Sequence, residues 1–157
     1  MRKRMIGRRE EHRSKPEDAW LDVESLAEVE ISSEHGAHPI ESALLPGRGG
    51  GWRAADPGTQ TIRLLFTPPR DLHRIRLEFL EPSARRTQEY VLRWSRDGGQ
   101  SFQEIVRQQW NFSPEGATSE TEDYRVELPG LSVLELVVVP DIAGNAAFAC
   151  LAQLRVS

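Results

Sequence analysis

Tyr90-Val-Leu-Arg-Trp-Ser-Arg-Asp-Gly-Gly-Gln-Ser-Phe-Gln-Glu-Ile-Val106 consists of two alternating runs about a tight glycine turn. Tyr90, Leu92 and Trp94 fall on one face of the first run and Val91, Arg93 and Ser95 on the other, the period of two that a pleated strand imposes. Asp97-Gly98-Gly99 supplies residues that tolerate positive φ, as the favoured hairpin turns require. The segment predicts an antiparallel hairpin.

The same pattern recurs on either side of it. In 60–66, Ile62, Leu64 and Phe66 share a face. In 72–80, Ile75, Leu77 and Phe79 point one way and Arg74, Arg76 and Glu78 the other. Residues 26–33, 102–110, 124–128, 133–139 and 148–156 bring the set to about eight short strands, although 17–29 also reads as a short helix. Val133-Leu-Glu-Leu-Val-Val-Val139 is nearly continuous apolar, as expected of a strand covered on both faces. Pro68-Pro69, Pro129-Gly130 and Pro140-Asp141 fall between the runs, where proline and glycine do least harm. With no long amphipathic helix and no internal repeat, the expected fold is all-β, an antiparallel β-sandwich of jelly-roll type.

With 157 residues the chain has room for one domain with a real core. Residues 1–15 hold seven Lys or Arg against two Glu, a net of +5; since the whole chain is −4, residues 16–157 carry −9. This divides the chain into a basic tail over 1–17, expected to be disordered, and a β-sandwich domain over 18–157. An acidic body argues against a nucleic-acid groove, which needs clustered positive charge. No run approaches the ~20 apolar residues of a membrane helix, so no membrane insertion is expected. The basic start is not followed by an apolar segment of the signal-peptide kind, and the single cysteine, Cys150, lies in an apolar stretch and has no disulfide partner. Together these predict a cytoplasmic protein with a buried thiol.

If consecutive strands run antiparallel, their connections alternate between the two ends of the sandwich. With the Asp97-Gly98 hairpin taken as the bottom, 67–71 and 129–131 also fall there. The longer segments 81–88, 111–121, 141–147 and 47–59 fall at the top, and function on a rigid β-scaffold lives in such loops.

Four pieces of the chain resemble the galactose-binding-like jelly roll of the discoidin, or coagulation-factor type C, family. They are Ser42-Ala-Leu-Leu-Pro-Gly with Gly51-Trp-Arg-Ala; Gln60-Thr-Ile-Arg-Leu-Leu-Phe with Pro69-Arg-Asp-Leu-His-Arg-Ile-Arg-Leu; the Tyr90–Phe102 hairpin; and Leu134-Glu-Leu-Val-Val-Val with Ala149-Cys-Leu-Ala-Gln-Leu-Arg-Val. The resemblance covers roughly residues 19–157 and implies a non-catalytic module that binds sugars, phospholipid head groups or proteins through loops at one end. Many relatives carry Asp-Gly in a first loop that helps to hold a structural calcium. Here Leu45-Pro46-Gly47 stands in that place, so no cofactor and no resident calcium are expected, Glu41 being the nearest acid.

The candidate ligand contacts follow from residue chemistry. Trp52, Trp110 and Phe112 offer apolar faces for a sugar ring; covering ~60 Å² of one indole gives only ~1.5 kcal/mol, so recognition would be weak. Gln109 and Asn111, flanking Trp110, offer donors and acceptors together, and Arg53 adds a polar contact. Arg85-Arg86 carries forked geometry suited to carboxylate or phosphate. His35 and His38 have the wrong number of companions for structural zinc and fit better as hydroxyl partners. No nucleophile elbow, phosphate loop or Cys/His pair points to catalysis. The leading expectation is a carbohydrate-binding module acting through the top loops. The alternative is an adaptor that meets a protein partner with the same loops. Nothing in the sequence addresses oligomeric state.

Overall fold

The computed structural model describes residues 20–157, so the basic tail over 1–17 lies outside the described residues. Among the described residues, two four-residue helices, α1 (Val23–Leu26) and α2 (Glu41–Leu44), accompany eight strands. These are β1 (Ala27–Ile31), β2 (Trp52–Arg53), β3 (Gln60–Leu80), β4 (Arg86–Ser95), β5 (Gln103–Phe112), β6 (Ser119–Val139), β7 (Cys150–Leu151) and β8 (Gln153–Val156). Residues 17–29 thus divide between a helical turn and a strand.

Two strands of 21 residues organise everything else. β3 and β6 pair antiparallel from Gln60↔Val138 to Leu80↔Ser119, with register shifts around Arg70 and Leu72. On one side of that bend, Gln60–Phe66 and Val133–Val139 sit in a large sheet ordered β1-β3-β6-β4-β5. On the other side, the far halves of β3 and β6 form a small sheet with β8, which pairs Ile75–Glu78. The expected strands 60–66 and 72–80 are therefore one bent strand, as are 124–128 and 133–139. Pro68-Pro69 and Pro129-Gly130 lie at the bend, where the ladder slips but does not end, whereas Pro140 follows the true end of β6.

Period-two alternation fills the space between the sheets. Ile62, Leu64 and Phe66 from one half of β3 and Ile75, Leu77 and Phe79 from the other are all buried, with Leu134, Leu136 and Val138 from β6 and Tyr90 and Leu92 from β4. On the outer face of the large sheet a charge ladder runs across β1, β3, β6 and β4. Glu135, 1% exposed, accepts hydrogen bonds from Arg63 Nε at 2.9 Å and Arg93 Nε at 2.7 Å, and Arg63 reaches Glu30 at 3.5 Å. The buried carboxylate is tolerable because both flanking guanidinia serve it.

The interior has one polar corner. Gln88 and Trp110 lie opposite each other on β4 and β5, and Gln88 Nε2 and Trp110 Nε1 are buried without partners among the described residues. Glu120, on β6, is 2% exposed, and among the described residues neither of its carboxylate oxygens has a hydrogen-bond donor. Burial, then the neighbouring Glu122, pushes the Glu120 carboxyl up from its usual value to about 7. The Tyr90 and Tyr124 hydroxyls, 2.6 Å apart, are also pushed up by burial.

The loops divide as the parity argument expects. At the bottom, Gly98 N–H donates to Ser132 Oγ and Gly130 N–H to Asp71 Oδ1. At the top, Glu81 N–H donates to the Thr118 carbonyl, Ile142 N–H to that of Thr87 and Gly58 N–H to that of Ala147.

Because the folded state holds the Glu120 proton more tightly than the unfolded chain, this group's contribution to stability is complete in acid and lost as pH rises through about 7. Glu120→Gln is expected to abolish that fall, raising stability at pH 8 by roughly 1–3 kcal/mol after allowance for water reaching the carboxyl. Urea unfolding of both proteins between pH 5 and 8 checks it; parallel curves would count against the assignment.

Candidate functional site

The top rim is built around β2, which is too short to bury itself and depends on its neighbours. Gly51 has φ +64°, and a Cβ there would lie 2.6 Å from the Leu151 carbonyl oxygen and 2.9 Å from Ala152 Cα. That close approach seats Trp52 and Arg53 against Leu151 and Cys150 of β7. Trp52 then turns inward, 1% exposed, and its indole N–H donates to the Ser33 carbonyl at 2.9 Å. Ser33 Oγ in turn accepts from Ala55 N–H and donates to Gln60 Oε1. The following turn is tied to the same strand: His35 N–H donates to the Arg53 carbonyl, and Arg53 N–H to that of His38.

This scaffold brings His35, His38 and Arg53 together at the surface. The two imidazole centroids are 5.6 Å apart. His35 Nδ1 accepts from Ala37 N–H, which leaves its proton on Nε2. His38 Nδ1 lies 3.2 Å from the Gly50 carbonyl, an acceptor, so the tautomer that fits donates there and turns an Nε2 lone pair outward. The pair thus offers solvent one donor and one acceptor, the complement of a hydroxyl group. Beside them the Arg53 guanidinium carbon stands 5.5 Å from the centroid of Phe148, whose ring is half-buried.

Phe148 was missing from the expected contacts, which placed 148–156 in a strand and read its apolar start as core. The phase of the alternation carries the signal: Ala149 and Leu151 are buried at 0%, so Phe148 and Cys150 occupy the opposite face.

The other expected contacts are dispersed. Trp52 belongs to the core and offers no platform. Phe112 is 1% exposed, because β5 turns it inward beneath Arg86, whose guanidinium carbon lies 5.1 Å from its ring. Arg86 is itself buried. It donates to Glu81 Oε1 at 2.9 Å and to the Pro140 carbonyl at 2.5 Å, pinning two top loops and leaving no free fork. Arg85 is exposed and paired with Glu115 at 2.5 Å. Trp110 is half-buried and faces inward, while Gln109 and Asn111, its sequence neighbours, lie on the outer face. There Gln109 Nε2 donates to Glu89 and Asn111 Oδ1 accepts from Thr87 Oγ1. Gln109-Trp110-Asn111 forms no single site, since adjacent residues of a strand face opposite ways.

No family model matches the sequence, and no curated protein matches it. Similar solved structures do exist. The family 32 carbohydrate-binding module of C. perfringens NanJ, solved in complex with galactose, has a TM-score of 0.59 over 84% of this chain and 93% of its own, at 18% identity. A second family 32 module, from a Clostridium perfringens GH89 protein and in complex with GalNAc-β-1,3-galactose, has a TM-score of 0.60, covers 88% of this chain and 99% of its own and is 19% identical. The family 32 module of AlyQ, in complex with 4,5-unsaturated mannuronic acid, has a TM-score of 0.56 over 84% and 95% at 13% identity. The chain has the galactose-binding-like jelly-roll fold.

In this jelly roll the loop after α2 does not fit calcium. Arg155 Nη1 donates to the Ala43 carbonyl at 2.9 Å and Nη2 to the Leu45 carbonyl at 3.3 Å, so the loop's oxygens already serve a guanidinium. Leu45-Pro46-Gly47 brings no carboxylate. Among the described residues, no three His, Cys, Asp or Glu side chains gather in a way that could hold a metal ion. Cys150 is half-buried with its thiol pushed up by burial; its S–H donates to the Leu80 carbonyl at 3.1 Å, a structural use.

Two substitutions test this construction. Gly51→Ala combines positive φ with a backbone clash and is expected to cost about 3 kcal/mol or more in chemical denaturation. Trp52→Phe keeps the apolar bulk but orphans the Ser33 carbonyl, for an expected loss of ~1–3 kcal/mol. Amide exchange should quicken over 33–38 in that variant and stay unchanged in the bottom hairpin; uniform behaviour would show that the indole does not hold this turn.

Proposed function

We propose that this chain is a non-catalytic carbohydrate-binding module that meets sugar at the rim formed by His35, His38, Arg53 and Phe148. The observation that carries the reading is the meeting of a donor–acceptor imidazole pair, a guanidinium and a half-buried aromatic ring from three parts of the chain. Sugar rings present hydroxyl groups beside C–H faces, and this rim offers partners for both. The neighbouring structures solved with galactose, a GalNAc-galactose disaccharide and an unsaturated uronate support the class of ligand. Burying ~60 Å² of the Phe148 face contributes ~1.5 kcal/mol and two or three hydrogen bonds ~1 kcal/mol each. The sum lies near the ~4 kcal/mol of a millimolar complex.

A second reading has its own observation. Among the described residues, Leu80 and Ile142 are the exposed large hydrophobic side chains, at 48% and 46%, and both belong to the top end. An adaptor surface would use such residues.

Amide NMR titration with galactose, N-acetylgalactosamine and mannose to about 50 mM tests the first reading. Expected are saturable shifts at 35–38, 53 and 148, weakened roughly tenfold or more by Arg53→Ala. If no sugar in the panel moves these signals, the carbohydrate reading fails. A partner captured from the native cell by the parent chain and lost with Ile142→Asp would support the adaptor reading instead.

A further inference from the structure

Away from the rim, the outer face of the small sheet carries a cavity of about 490 Å³, within the range of small-ligand sites. Its floor is set by strand register. Arg76 and Glu78 alternate outward on β3, and their partners on β8 are Arg155 and Gln153. The walls are the segment entering at Trp20–Val23 and the loop after α2. Both walls are fastened: Leu21 N–H donates to the Val156 carbonyl at 2.8 Å, and Arg155 holds the carbonyls of Ala43 and Leu45. None of the rim residues lines it.

The floor carries two guanidinium groups, Arg76 and Arg155, and among the described residues neither closes an ion pair. Glu78 lines the same floor, and Arg76, after Arg74, helps to hold the Asp123 carboxyl below its usual value. Arg76 is half-buried; its Nε is closed to solvent and has no hydrogen-bond partner among the described residues, and an unmade bond at such an atom is costly. Asp123, the partner of Arg76 across β6, is engaged at both oxygens by Arg74, at 2.8 and 2.6 Å. Among the described residues Arg155 meets carbonyls only, and burial lowers its pKa from the usual value. Beside these cations, Glu78 and Asp22 accept, Gln153 both donates and accepts, and Trp20 supplies an aromatic ring fixed under the Arg74 guanidinium at 4.6 Å.

An anion suits the Arg76 fork, hydroxyl groups suit Glu78, Asp22 and Gln153, and a C–H face suits Trp20. A hexuronic acid unit carries all three on one ring. We infer that this cavity is a second saccharide site, selective for acidic sugars, on the side of the jelly roll. The inference rests on residues separate from the rim and stands whether or not the rim binds sugar.

D-galacturonate and D-galactose, which differ at C6 by carboxylate against hydroxymethyl, are the probes for the full-length chain. Galacturonate is expected to move the Trp20 indole N–H signal, assigned by its loss in Trp20→Phe, with millimolar affinity that weakens as salt rises. Galactose is expected to leave that signal in place. Arg76→Gln should weaken the galacturonate response about tenfold or more, while Arg53→Ala leaves it unchanged. Unchanged circular dichroism and melting of Arg76→Gln would separate lost binding from lost folding. The inference is overturned if galacturonate to about 50 mM leaves the Trp20 signal still, if galactose moves it equally, or if acetate binds there as tightly as the sugar acid.

Discussion

The pairing of β3 with β6 is the constraint on which the molecule depends. Two long strands stay antiparallel from Gln60↔Val138 to Leu80↔Ser119 while passing from one sheet into the other. Their shared bend near Arg70 and Leu131 turns the ladder from one layer into the other, and three strands add directly to its edges: β1 and β4 on one half, β8 on the other. A ladder that long also fixes which loops sit together. Both strands begin at the top and turn at the bottom, so the tight turns gather at one pole and the longer loops at the other.

Much of this was legible because alternation and turn chemistry are local properties. The 90–106 hairpin, the inward set Ile75, Leu77 and Phe79 and the sorting of loops by parity all follow from period two. What was lost is what period two does not encode. Pro68-Pro69 and Pro129-Gly130 read as ends of strands, whereas opposed slips let the ladder run on past them. β2 has two residues, too few for any pattern, and exists because Gly51 lets it approach Leu151 closely.

The site was legible only in part, for a related reason. His35, His38 and Arg53 carry polar chemistry in loops, and the structure gathers them. Trp52, Phe112 and Arg86 carry equally suggestive chemistry, but it is spent within the fold on Ser33, on the guanidinium of Arg86 and on Glu81 with Pro140. Residue type alone does not distinguish a ligand contact from an internal one. Phase does: it would have split Gln109 and Asn111 from Trp110 and turned Phe148 away from Ala149. Glu120, Gln88 and Trp110 mark where the inner face becomes polar, a property of two facing sheets that neither strand reveals alone.

The Arg155 guanidinium at the carbonyls of Ala43 and Leu45 has a physiological corollary. A metal ion is lost to chelators and follows its own concentration, but a tethered cation is present in every copy at fixed stoichiometry. The wall beside Trp20 is therefore fastened by the polypeptide itself, through a guanidinium carried on β8.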